Sequence, residues 1–255
     1  MSDECKKLLG FAKFVSSGSK NQRMNSTYSN QILFTRNLSD SHYEFGNKIG
    51  LQISDHAFID IKINILGQKE IDLIESKANW IFTSRNAVKS ITPILSKLVL
   101  DENHKVYAVG KKTAEELSKI GLQAIIPSTH NARALVELLE KDKAESYIYF
   151  SGNIRKNTIV NFFTENELTY EEIECYKTSL IQPEVDVDNF DAICFCSPSA
   201  IVSFFKKYKL KSSIPCIAIG NSSAVKLLDY TEHVVMSDHA NIYSMLEICK
   251  EYLNS

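Results

Sequence analysis

The chain has 255 residues, of which 44% are apolar and 24% charged, with a net charge of -2. That length suits one or two domains, each with a sizeable core. The near-neutral balance leaves no electrostatic footprint for nucleic acid or an anionic membrane surface, and no apolar run approaches the roughly 20 residues a helix needs to cross a bilayer.

In chain order, residues 1–30 read as a flexible N-terminal extension. KFVSSGSKNQRMNSTYSN is polar and aperiodic, although Lys6, Lys7 and Lys13 with Leu8, Leu9 and Phe11 hint at a short amphipathic helix. The apolar stretch there is too short for a secretory signal, and Asp3 and Glu4 do not belong in a transit peptide. Order begins at Gln31 with a strand, QILFTRN, followed by a polar helix over about 38–50 and extended chain over Leu51–Asn64. A helix over about 68–76 leads into WIFTSRNAVKS. There Trp80, Ile81, Phe82 and Thr83 suit a buried strand, and Ser84 can cap the helix that follows. Farther on, Tyr147–Phe150 reads as a strand, Ser151–Gly152–Asn153 as a turn, Ile154–Glu165 as a helix and Tyr170–Ser179 as extended chain.

Part of this pattern occurs twice. AICFCSPSAIVS repeats WIFTSRNAVKS, with Ser84 answered by Ser197, 113 positions later, and with Pro198 at the first helical position. Val106–Pro127 is answered by Cys216–Ser237, so that Gly110 matches Gly220 and Thr113 matches Ser223. THNARALVELL then matches DHANIYSMLEI, pairing His130 with His239. Three matches in one order indicate a domain-sized duplication of strand–turn–helix units.

Strands alternating with helices imply parallel sheets covered on both faces, with ligands beyond the carboxyl ends of the strands. The turns at those ends are Thr35–Arg36, Ser84–Arg85, 110–112, Gly152–Asn153 with Arg155 and Lys156, Ser197–Ser199, and Gly220–Ser223. Hydroxyls, glycines and basic residues at helix starts suit a small polyanion. They equally suit ordinary caps and solvated charges, and both readings stay open. There is no nucleotide fingerprint, no nucleophile elbow and no metal-binding histidine pair. Six scattered cysteines without CxxC spacing read as buried thiols of a protein in a reducing cytoplasm.

The ordered set TR, FTSRNAV, VGKKTAEEL, SGN, CYKT, FCSPSAI and IGNSSA, spanning about Gln31–Leu253, closely resembles the uroporphyrinogen-III synthase family. The resemblance implies an α/β fold of two flavodoxin-like parallel-sheet domains joined by a two-stranded β-ladder. Residues 31–54 and 179–255 would form one discontinuous domain and 58–174 the other, with Ser54–Asn64 and Glu172–Ser179 as the connecting strands. It implies a cyclising lyase of haem biosynthesis. By the resemblance the substrate would be hydroxymethylbilane, closed to uroporphyrinogen III with inversion of the last pyrrole and loss of water, and no cofactor or metal is expected.

By the same resemblance, Tyr176 is the catalytic candidate, a proton donor to the departing hydroxyl. Arg36, Ser84, Arg85, Thr113, Gly152, Asn153, Lys177, Ser197, Ser199 and Ser223 are the substrate-binding candidates. Ser223 stands where the family usually has Thr, and Asn37 where Pro is common. A cytoplasmic monomer is expected, in transient contact with hydroxymethylbilane synthase and with neither nucleic acid nor membrane. The rivals are a non-catalytic two-lobed tetrapyrrole- or anion-binding protein and a two-domain sugar-nucleotide transferase. The second would ordinarily need a longer chain and a carboxylate motif for the ribose.

Overall fold

A computed structural model of the protein describes residues 30–75, 79–98, 104–142 and 146–254. The N-terminal extension, apart from Asn30, and the amphipathic segment within it lie outside the described residues. The elements begin with β1 (Asn30–Phe34), α1 (Asp40–Lys48), β2 (Leu51–Asp55), β3 (Ile59–Ile63), α2 (Gln68–Ile74), β4 (Asn79–Phe82) and α3 (Arg85–Ile91). They continue with β5 (Val106–Ala108), α4 (Lys111–Lys119), β6 (Ala124–Ile125), α5 (Ala132–Leu139), β7 (Ser146–Gly152), α6 (Thr158–Glu165) and β8 (Thr169–Leu180). The last are β9 (Ala192–Phe195), α7 (Pro198–Lys207), β10 (Cys216–Ala218), α8 (Asn221–Leu227), β11 (Val234–Met236) and α9 (Ile242–Leu253).

Two compact units result. One holds the described residues up to Asp60 together with those from Leu180 onward, and the other holds Ile61–Ser179. The sheet of the first runs β11-β10-β9-β1-β2, with every neighbouring pair parallel. The sheet of the second runs β3-β8-β7-β4-β5-β6, and the five strands from β8 to β6 are parallel. Laid side by side, β2-β1-β9-β10-β11 and β8-β7-β4-β5-β6 have the same layout. The pair β1–β2 precedes its partners in the chain, whereas β7–β8 follows its own.

Short strands that are apolar at consecutive positions explain this burial. In β4, Trp80 and Phe82 face a cluster with Phe150 and Ile173, while Ile81 faces the opposite cluster with Tyr149 and Phe163. In β9, Ile193 and Phe195 join Phe58 and Phe204, and Ala192 and Cys194 join Met245 and Cys249. A strand buried on both faces cannot alternate apolar with polar residues. Each large side chain removed from water in this way contributes about 1.5–3 kcal/mol. Phe82 and Phe150 stack at 4.4 Å, and Phe204 lies 5.2 Å from both Phe58 and Phe195.

Three sequence expectations shift. The extended stretch 51–64 is two strands, β2 and β3, which lie in different sheets. The helix expected from Ile154 begins only at Thr158, because 154–157 form the turn that carries Arg155. The pairing of His130 with His239 is off by one position. Asn131 N–H donates to Thr129 O and Asn241 N–H to His239 O, so His239 matches Thr129, and His130 matches Ala240. The helix caps Asn131 and Asn241 correspond in the same way, accepting from Ala134 N and Ser244 N.

Candidate functional site

Each unit presents a rim of turns at the carboxyl ends of its strands. In the Ile61–Ser179 unit, Ser84 caps α3 by accepting from Asn86 N–H at 3.1 Å, and Arg85 follows it exposed. Gly110 opens α4 against the side chain of His130; a methyl group at 110 would lie 3.0 Å from His130 Cβ. Thr113 sits buried in the first turn of α4. The strand expected to end at Phe150 runs on through Ser151 to Gly152, which closes β7, and the turn after it carries Asn153 and Arg155.

Tyr176 reaches this rim through a β-bulge. Along β7 and β8 the register runs Ser151 opposite Glu174 and then Gly152 opposite Tyr176, so Cys175 is the extra residue. A bulge lets two successive side chains turn toward one face. Accordingly Cys175 and Tyr176 both pack on the cluster of Trp80, Phe82 and Phe150. The half-buried tyrosine ring lies directly on Gly152. A methyl there would stand 2.9 Å from Cε1 and closer still to Cε2 and Cζ, so a side chain at 152 would push the ring from its present place. Lys177, the next residue, is exposed.

Asn153 makes its polar contacts within the protein. Its Nδ2 donates to Thr178 O at 3.1 Å, its Oδ1 accepts from Thr178 N–H at 2.7 Å, and its own N–H donates to Tyr176 O at 3.2 Å. Arg155 is likewise engaged. Its Nε and Nη2 form a bidentate pair with Glu172 at 2.6 and 2.7 Å, and Ser151 Oγ donates to the same carboxylate at 2.6 Å. The guanidinium hydrogen bonds hold the Glu172 carboxyl below its usual range, opposed by its burial.

In the other unit, Ser197 caps α7 by accepting from Ala200 N–H at 3.2 Å, with Pro198 in the first turn and Ser199 half-buried beside it. Ser223 is buried in the first turn of α8, behind Gly220. Thr35 is fully buried and its hydroxyl donates to Cys194 O at 3.0 Å. Arg36 is exposed, with Nε donating to Asn37 O at 3.3 Å. Asp55 accepts from Leu38 N–H at 2.5 Å, and its carboxylate also acts on Tyr43. Burial first, and then this carboxylate, pushes the Tyr43 phenol up to about 12.

The structure thus brings Ser84, Arg85, Thr113, Gly152, Asn153, Tyr176 and Lys177 to one unit's strand ends, and Arg36, Ser197, Ser199 and Ser223 to the other's. The sequence reading missed the bulge and also Asn64, whose Nδ2 donates to Glu174 O at 2.6 Å and whose N–H donates to Cys175 O at 2.9 Å. No local signal could have revealed contacts 110 residues apart. Five free cysteines lie among the described residues; four are buried and Cys196 is half-buried, while Cys5 lies outside them. No described helix is long and apolar enough to cross a membrane.

The fold is matched by solved structures. A uroporphyrinogen III synthase of the extremely thermophilic bacterium Thermus thermophilus, a triple mutant, is similar with a TM-score of 0.69 and 15% identity, over 88% of this chain and 99% of that one. The uroporphyrinogen-III synthetase of Helicobacter pylori gives 0.62 and 18% over 88% and 99%, and the wild-type Thermus protein 0.55 and 15% over 88% and 98%. No curated protein sequence matches. The family model described as uroporphyrinogen-III synthase HemD matches residues 60–247, well over half of the chain. The chain therefore belongs to the uroporphyrinogen-III synthase family and is a cyclising lyase of haem biosynthesis.

Proposed function

We propose that the protein closes hydroxymethylbilane with Tyr176 as proton donor, and that the strand-end turns hold the substrate's carboxylates. The observation that carries this reading is the Tyr176 ring seated on Gly152 beside the turns of the rim. The phenol gives its proton to the hydroxyl as the C–O bond breaks, and the oxygen leaves as water with the bonding pair. The electrophilic carbon left behind is attacked by the substituted carbon of the last pyrrole to give a spiro intermediate, one of whose bonds breaks and re-forms at the unsubstituted carbon; the proton lost from that carbon returns to the Tyr176 phenolate and leaves the inverted product. Bilane loses its hydroxyl readily and closes unaided to the uninverted isomer, so catalysis rests on orientation and charge stabilisation.

In this reading the eight carboxylates meet Arg36, Arg85 and Lys177, the hydroxyls of Ser84, Thr113, Ser197, Ser199 and Ser223, and the helix starts behind them. Gly152, at the end of β7, lies at the substrate under the Tyr176 ring, and Asn153 follows it in the turn. Support comes from the exposure of Arg36, Arg85 and Lys177. The two units act as domains, 31–54 with 179–255 and 58–174, linked by the strands within Ser54–Asn64 and Glu172–Ser179. In support, β3 neighbours β8, and the division between the units falls at 60/61 and 179/180. The protein works as a cytoplasmic monomer. It takes its short-lived substrate in transient contact with hydroxymethylbilane synthase, since a bilane that closes by itself favours direct handover.

The test is a coupled assay in which hydroxymethylbilane is generated in place, the protein is added, and the oxidised uroporphyrin isomers are separated. Predominantly type III is expected; type I alone, as in the blank, would overturn the reading.

A further inference from the structure

A bulge leaves backbone groups that the strand ladder does not pair, and buried or half-buried groups of that kind need other partners. Around Tyr176 those partners are two asparagines, one on each side of β8. Asn153, in the turn after β7, takes both the N–H and the C=O of Thr178 and donates its own N–H to Tyr176 O. Asn64, at the end of β3, takes the C=O groups of Glu174 and Cys175. Asn64 is anchored in turn by Ser90 Oγ of α3, which donates to its carbonyl at 3.0 Å. The asparagine side chains thus hold Thr178 and Glu174, on either side of the bulge, while Cys175 O and Tyr176 O accept from the asparagines' backbone N–H groups.

An amide side chain is the group suited to this. It offers a donor and an acceptor on one planar end and so can close a two-bond ring with a single residue's backbone. Aspartate supplies only the acceptor, and alanine supplies neither.

We infer that Asn64 and Asn153 are positioning residues, a clamp that fixes the bulge and so aims the Tyr176 phenol. This gives Asn153 a role through Tyr176 in place of direct contact with substrate. The inference rests on the proton-donor role proposed for Tyr176, and the experiment separates the two.

The kcat, KM and type III to type I ratio are measured for the wild type, Tyr176→Phe, Asn153→Ala and the double variant. Misplacing a reacting group by about 1 Å can cost up to roughly a hundredfold, so Asn153→Ala is expected to lower kcat about tenfold with KM unchanged. Asn153→Asp keeps the acceptor for Thr178 N–H but sets a carboxylate oxygen against Thr178 O, so it should lower kcat as well. Asn64→Ala, which loses a single solvent-exposed bond to Glu174 O, should lower kcat in the same direction but less. In the Tyr176→Phe background, Asn153→Ala should cost nothing further, because both changes remove the same contribution. An equal loss in both backgrounds, or a raised KM with kcat intact, would overturn the clamp and leave the proton donor standing. Wild-type turnover by Tyr176→Phe would overturn the proton donor and the clamp together. If Asn153→Ala fails to fold, the Asp variant carries the same comparison.

Discussion

Gly152 and Tyr176 share one space: the tyrosine ring occupies the volume that a side chain at 152 would fill. The turn and the tyrosine lie on adjacent strands, paired across the bulge. The glycine therefore serves close packing at a position where no left-handed backbone requires it.

Gly152→Ala should consequently displace Tyr176. Overpacking of this kind costs about 1–3 kcal/mol. A lower melting temperature is expected, together with a fall in kcat larger than any change in KM. Unchanged values of all three would mean that the ring moves aside freely.

The capping serines can be separated from substrate binding by charge. Ser84→Ala and Ser197→Ala should each lose about 1 kcal/mol of stability, read from urea midpoints, because each removes the acceptor for a helix-start N–H. Ser197→Asp should retain the cap while placing a negative charge where carboxylates are proposed to bind. Near-native stability with a raised KM is the expected outcome.

Acid should weaken the Arg155–Glu172 contact. The Glu172 carboxyl is lowered chiefly by the Arg155 hydrogen bonds, with burial opposing. Its contribution is therefore complete above the unfolded carboxyl pKa and is lost as pH falls through the lower folded value. Because the pair is partly exposed, the effect should be no more than about 1 kcal/mol. Urea midpoints followed downward from pH 6 should fall less steeply for Glu172→Gln than for the wild type.

The described thiols should be inert in the native protein. Burial pushes Cys175, Cys196 and Cys216 up to about 12, so hardly any thiolate exists at neutral pH. A thiol reagent at pH 7 should label these three only after urea is added, as peptide mapping would show. Prompt labelling of Cys196, the half-buried one, would show that its surroundings do not keep it protonated.

The sequence by itself determined the parallel α/β class and the duplicated strand–turn–helix units. It also located most helix starts, because apolar runs, caps and glycines act over a few residues. The capping roles of Ser84 and Ser197 were legible for that reason. The tertiary structure decided that 51–64 divides between two sheets, that His130 corresponds to Ala240, and that Tyr176 turns onto the face of Cys175. It also decided that Asn64 meets Glu174 across 110 residues. Those outcomes depend on which strands become neighbours and in what register. Distant backbone groups set that register by the hydrogen bonds they form, and no local pattern of side chains encodes it.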